Sequence, residues 1–244
     1  SAVLVLKCFG PSPTLGSAGL QTGFDPSLGK SLGLFLKNLH LSTLKNNYLL
    51  KHHNNHTVQE TRFKIQYCFI GEQAIAHKLP HALEVQTAAR QLGELFLQEG
   101  TCLIMGDLWP ASLLVLLNGL AVIDWELSHY GQPSQDIGHF AAHIWMLYHR
   151  NQNPHFRMSV QQFWEDFIKM YLHQNAAFDL NQHQRAIQHL GAEIMARTIG
   201  AFRSASAYKS LSVHHPVQQE ALRFATSCLL ETNLSLQQLF SFLL

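Results

Sequence analysis

Between Thr101 and Glu126 the chain abandons helical periodicity for a compact β pattern, and this interruption limits the available folds more than any other feature. Thr101 to Met105 reads as a short strand. Leu113 to Leu117 and Leu120 to Ile123 are two further apolar runs, separated by Asn118 and Gly119. Asn-Gly between such runs predicts a hairpin, because both residues accept the positive φ of a type I′ turn. On either side the spacing is helical. Leu32, Phe35, Leu36 and Leu39 predict a helix from Ser31 to about Leu44, with His40 ending its core face. Val85, Ala88, Ala89, Leu92, Leu95 and Phe96 predict a longer one, stopped by a left-handed Gly100. Beyond residue 134 the pattern is wholly helical. Ile137, Phe140, Ala141, Ile144 and Tyr148 form one stripe, Ser159 and Gln162 read as a capping box, and Pro216 opens another helix. The fold class is α+β, mainly helical, with a small β-hairpin region.

Two segments lie ahead of this body. Val3 to Phe9 is a short apolar run closed by Gly10, Pro11 and Pro13, as in an interior strand. Residues 10 to 30 are dense in Gly, Pro and Ser and read as linker, which places a hinge strand and linker at 1–30 and the main domain at 31–244. A start at Ser1 instead of Met suggests a piece of a longer product.

Composition excludes several classes of partner. Lys and Arg total 17 against 16 for Asp and Glu, so no positive field exists for nucleic acid or anionic lipid. No apolar run reaches the roughly 20 residues of a membrane span. Cys8, Cys68, Cys102 and Cys228 include no CxxC pair, which suits reduced thiols and a cytoplasmic setting. His52, His53 and His56 stand among asparagines with nothing to fix a metal geometry, and read as a solvated loop.

Chemistry concentrates in CLIMGDLWPASLLVLLNGLAVIDWE. Asp107 follows a strand in a loop with Gly106 and Pro110, and Asp124 ends the second hairpin strand seventeen residues later. Adjacent strands bring loop and strand end side by side, so two carboxylates face one cleft. Such a pair suits phosphoryl transfer, one group orienting an attacking hydroxyl and the other holding magnesium. On spacing alone, the structural work of capping a loop and a hairpin end is the plainer reading.

The segment resembles the signature of the aminoglycoside phosphotransferase and choline kinase superfamily: His-Gly-Asp, four residues, Asn, a hydrophobic strand, a hairpin, then Ile-Asp-Trp with Glu. Gly106, Asp107, the following Leu-Trp-Pro, and Ile123-Asp124-Trp125-Glu126 match, and the likeness continues through Gly131, Pro133, Asp136 and Gly138. Leu32 to His40 is similar to the family's helix ending in Leu-His, and Ser1 to Gly10 to its hinge strand. The resemblance implies the carboxyl-terminal lobe of a protein-kinase-like fold. It also implies Asp107 as catalytic base, Asp124 as the main magnesium ligand, Asp136 as an acid bonding the catalytic loop's backbone, ATP and Mg2+ as cofactors, and a small-molecule hydroxyl as acceptor.

Departures from that pattern are equally informative. Met105 replaces the His whose ring braces the loop, and a thioether gives little directed support. Ser112 replaces the Asn of the second metal contact, and its shorter hydroxyl reaches a cation only through water or backbone motion. The glycine-rich cover, strand Lys and partner Glu of a complete kinase would lie upstream of Ser1, since Lys7 falls near the adenine and away from the phosphates. Three readings stay open: part of a small-molecule kinase, a non-catalytic pseudokinase-like binding module, and a cleft reused for other small-molecule chemistry. An uncovered lobe surface also points to self-association or a partner chain. Trp145, Trp164, Phe167 and Tyr171 are candidates for an acceptor wall, with core as the plainer reading. His139, His143, His149 and His155 read as surface or satisfied core histidines.

Overall fold

The computed structural model describes residues 12–231 and 233–240; the proposed hinge strand Val3 to Phe9 lies outside them. Ten α-helices are present among the described residues: α1 Leu15–Thr22, α2 Pro26–Ser42, α3 Asn47–His52, α4 His56–Arg62, α5 Phe69–Ala76, α6 Ala82–Phe96, α7 Pro133–Arg150, α8 Pro154–Leu172, α9 Leu180–Thr198 and α10 Pro216–Leu230. Four short strands lie between α6 and α7: β1 Cys102–Ile104, β2 Leu113–Leu116, β3 Gly119–Val122 and β4 His129–Gly131. β1 pairs antiparallel with β4, and β2 with β3. The α+β class, dominated by helix, is therefore the observed one.

Residues 12–30 are not a linker. Thr14 caps α1 by accepting from the Ser17 amide, and Asp25 accepts from the Ser27 amide with Pro26 at the first helical position of α2. Small residues in this stretch serve packing. α2 turns Gly29, Leu32, Gly33, Leu36 and His40 inward, and a Cβ on Gly29 or Gly33 would collide with the carbonyl oxygens of Phe163 or Phe167 on α8. The two helices cross at nearly backbone contact because α2 carries no side chain at those points. Phe24 seats edge-on against Phe156 and Phe163 of α8, with centroids 5.9 and 5.3 Å apart.

Three further details differ from expectation. α8 begins at Pro154, capped by Asn153, so Ser159 lies inside the helix, where its hydroxyl donates to Phe156 O and accepts from the Phe24 amide. The hairpin tip is Leu117-Asn118, since Leu116 pairs with Gly119; Gly119 alone takes a positive φ, of 137°. Gly100 is not left-handed. A Cβ there would strike the Gly131 backbone, where Thr101 N donates to Gly131 O at 2.8 Å, so its glycine serves close approach.

The aromatic candidates for an acceptor wall are core: Trp145, Trp164, Phe167 and Tyr171 are fully buried. Burying such a side chain contributes about 1.5–3 kcal/mol, which explains their helical spacing without any ligand. His52 ends α3 and His56 starts α4, and no group of three or more His, Cys, Asp or Glu among the described residues could hold a metal. Among those residues, no helix is long and apolar enough to cross a membrane.

Candidate functional site

The loop after β1 is suspended from a buried carboxylate. Asp136, in the first turn of α7, accepts from the amide of Met105 at 2.8 Å and of Gly106 at 2.9 Å, one bond to each oxygen. Behind it, His40 Nε2 lies 3.4 Å from Asp136 Oδ2 and His40 Nδ1 lies 2.8 Å from the Tyr171 hydroxyl. Burial, with Cys102 and Asp136 nearby, pushes Tyr171 well above the usual phenol range, so it stays a donor. With the ring proton on Nε2, a relay runs from Tyr171 through His40 to Asp136.

Gly106 has φ +80°, and any Cβ would collide with Leu127 O. The loop can lie against the strand-end segment only with glycine at this position. One hydrogen bond, Ile123 N to Ser112 O at 2.9 Å, joins the two segments. Loop and strand end are thus bonded before Asp124 and in close approach after it.

Asp107 is partly open, with 29% of its side chain exposed, and pairs with Arg62 Nη2 at 2.6 Å. Asp124 is exposed and adopts φ 62°, ψ 50°, a left-handed conformation uncommon outside glycine but tolerated by Asp. Trp125 follows, its indole N–H donating to Val122 O at 3.0 Å and its ring meeting Phe35 of α2 edge-on.

Ser112 is placed differently from its expected role as a metal ligand. It is fully buried, donates to Trp109 O at 2.8 Å and accepts from the Trp109 amide at 3.2 Å. A hydroxyl committed to closing its own turn is withheld from a cation. Met105 is also buried, its sulfur 4.0 Å from Ser112 Oγ, and it fills the space beneath the loop.

Beside the loop lies a polar cluster that sequence reasoning overlooked. Glu193 of α9, buried, accepts from Arg197 Nε at 2.7 Å and Gln66 Nε2 at 2.9 Å, and His143 Nε2 lies 3.2 Å away. Burial alone would raise its carboxyl, but the Arg197 charge, with a hydrogen bond from His143, holds it well below the usual carboxylate range. Burial drives the imidazoles of His139 and His143 down, so they act as neutral hydrogen-bonding rings. His189 falls to about 3, from burial and the charges of Arg62 and Arg185. Trp109 joins the cluster to the loop, its ring centroid 5.4 Å from the Arg197 guanidinium and 5.5 Å from the His143 ring. The missed signal was phase: Glu193 and Arg197 fall on the face of α9 that also buries Leu190 and Ile194, and a charge there needs a buried partner. His149 is separately satisfied by Tyr208 and Glu220.

The Gly-Asp loop and the Ile-Asp-Trp strand end both fall inside a family match. The profile of the family described as "Phosphotransferase enzyme family" matches residues 10–184. The chain belongs to that family. Among individual relatives of this phosphotransferase-family chain, a methylthioribose kinase of Bacillus pumilus is 36% identical over 73 residues, covering 30% of this chain and 18% of the relative. A methylthioribose kinase of Exiguobacterium sibiricum is 27% identical over 105 residues, covering 41% of this chain and 27% of that protein. The matched stretches thus span about a fifth to a quarter of these relatives' own lengths.

In a phosphotransferase-family chain the donor set has a specific meaning. Carboxylate oxygens are the hard donors magnesium prefers, and magnesium commonly takes only one or two of them, filling its octahedron with water and phosphate oxygens. Asp124, exposed, is of that type and fits such an ion, with Asp107 on the neighbouring loop.

Proposed function

We propose that this chain contributes the catalytic half-site of a small-molecule kinase, which transfers a phosphoryl group from ATP to a hydroxyl. The observation carrying this reading is the adjoining pair of segments: Asp107 on a loop hung from Asp136, and Asp124 on the strand end that the loop approaches. Asp107 orients the acceptor hydroxyl and takes its proton. Asp124 holds the magnesium ion, which when bound neutralises charge on the phosphates. Asp136 keeps the loop's backbone in place while the proton moves. Ser112 has no part in metal binding in this reading, and a magnesium site built on Asp124 draws its remaining ligands from water and the nucleotide.

The acceptor side is read from Trp109 with Arg197 and His143. An aromatic face backed by a cation beside the base suits a polar ring carrying hydroxyls. Both matched relatives are methylthioribose kinases, which supports a sugar of that kind as the first acceptor to try. The decisive experiment is Mg2+-dependent transfer of labelled γ-phosphate to methylthioribose and related sugars, in parallel with Asp107→Asn. A fall of about 100-fold or more in the variant is expected. Transfer that persists at the parental rate would show that another group does the work.

A further inference from the structure

We propose that Arg62 is the positioning residue for Asp107, supplying from α4 the brace that Met105 cannot give to its own loop. Its guanidinium forks across two successive residues: Nη1 donates to Gly106 O and Nη2 to Asp107 Oδ1. A planar donor pair of this kind fixes orientation as well as distance, which a lysine ammonium does not. The fork sets the peptide leading into residue 107 and the side chain leaving it. Gly106 is otherwise the most pliable point of the loop, and the thioether of Met105 offers no directed bond.

Several independent features agree. Arg62 is buried, 9% exposed at its side chain, so it is no wandering surface cation. Burial alone would weaken its hold on the proton, but the charges of Asp107 and Glu193 outweigh that and keep it cationic. It sits where α4 passes directly into a π-helical turn, Phe63–Cys68, a local widening that recurs at functional sites. That turn carries Gln66 to Glu193 and Tyr67 to His189. Arg62 and Arg197 therefore balance Asp107 and Glu193 within one buried network, and the base is tied to the same framework as Trp109. Gln135 Nε2 adds a second donor to Gly106 O at 2.9 Å, but it does not touch Asp107. With Oδ1 held by Arg62, Oδ2 is the oxygen presented to the acceptor hydroxyl.

The assignment rests on Asp107 being the base of the proposed phosphotransfer, so its test needs a readout independent of turnover. Carbodiimide coupling of carboxylates in the full chain, followed site by site with mass spectrometry, provides one. Arg62→Met should raise coupling at Asp107 by about fivefold, the population ratio of a partly exposed ion pair, and leave exposed Asp124 and Glu126 at their original rates. Arg62→Lys, which keeps the charge but loses the fork, should fall between; if Arg62→Met does not fold, this variant decides alone. An unchanged rate at Asp107, or a rise shared equally by Asp124 and Glu126, overturns the assignment of Arg62. Calorimetric titration of the unmutated chain with Mg2+ separates the two layers, since absence of binding overturns the phosphotransferase reading and with it the catalytic meaning of Arg62.

Discussion

Asp124 is exposed and its backbone is left-handed, as at Lys45, Lys78, His81 and Gln174. Leaving the right-handed region costs an L-residue about 1–2 kcal/mol, less for Asp and Asn, whose short polar side chains bond locally. With the backbone held there, Asp124→Ala should lower stability by about 1 kcal/mol, while Asp124→Gly and Asp124→Asn stay near the parent. Urea unfolding would show this order, and an alanine variant as stable as the asparagine one would mean the conformation is not imposed. At this scale the sequence was legible wherever a residue stood in the Gly-Asp or Ile-Asp-Trp stretch. It was illegible where the contact is long-range. Arg62 lies in a polar run, and nothing local announces that it reaches Asp107. Ser112 was legible as a type but not as a direction: a hydroxyl can face a cation or its own backbone, and the turn Pro110–Ser112 takes it inward.

Helices were legible by period and misread at their ends. Gly, Pro and Ser between residues 10 and 30 carry the composition of a linker, yet Thr14 and Asp25-Pro26 are helix starts. Composition cannot tell a flexible glycine from one that lets helices touch, because the difference lies in a partner far along the chain. Gly33 is the sharper case. In an isolated helix Gly33→Ala would be favourable by about 1 kcal/mol, but here the new methyl meets Phe167 O of α8. A net loss on the order of 1–2 kcal/mol in chemical denaturation is expected, and a gain would show that α2 and α8 are not in backbone contact. Ser159 was misread because Ser-x-x-Gln before an apolar run fits a cap as well as a mid-helix hydroxyl serving another segment, here the Phe24 amide. The hairpin itself was legible, and only its tip moved by one residue, since Gly119 supplies the positive φ by itself.

Across the whole molecule, three helix pairings organise the core: α2 on α8, α7 on α9 and α9 on α10. From that core, α7 presents Asp136 to the loop carrying Asp107 and α9 presents Glu193 to the cluster around Arg197. The β segment is small but lies where these helices and α4 converge, so its two aspartates inherit rigidity from elements distant in sequence. A cavity of about 470 Å3 between Leu79–His81 and α10 includes neither aspartate. The proposed activity thus depends on Asp107 lying beside the cation that Asp124 holds. The most direct measurement is paramagnetic broadening of backbone amides on titrating the chain with Mn2+ as a magnesium mimic. Amides of Asp107 and Asp124 should broaden together at the same Mn2+ concentration, recover with excess Mg2+, and stay sharp in Asp124→Asn. Broadening confined to Asp124, or absent at both, would contradict that juxtaposition.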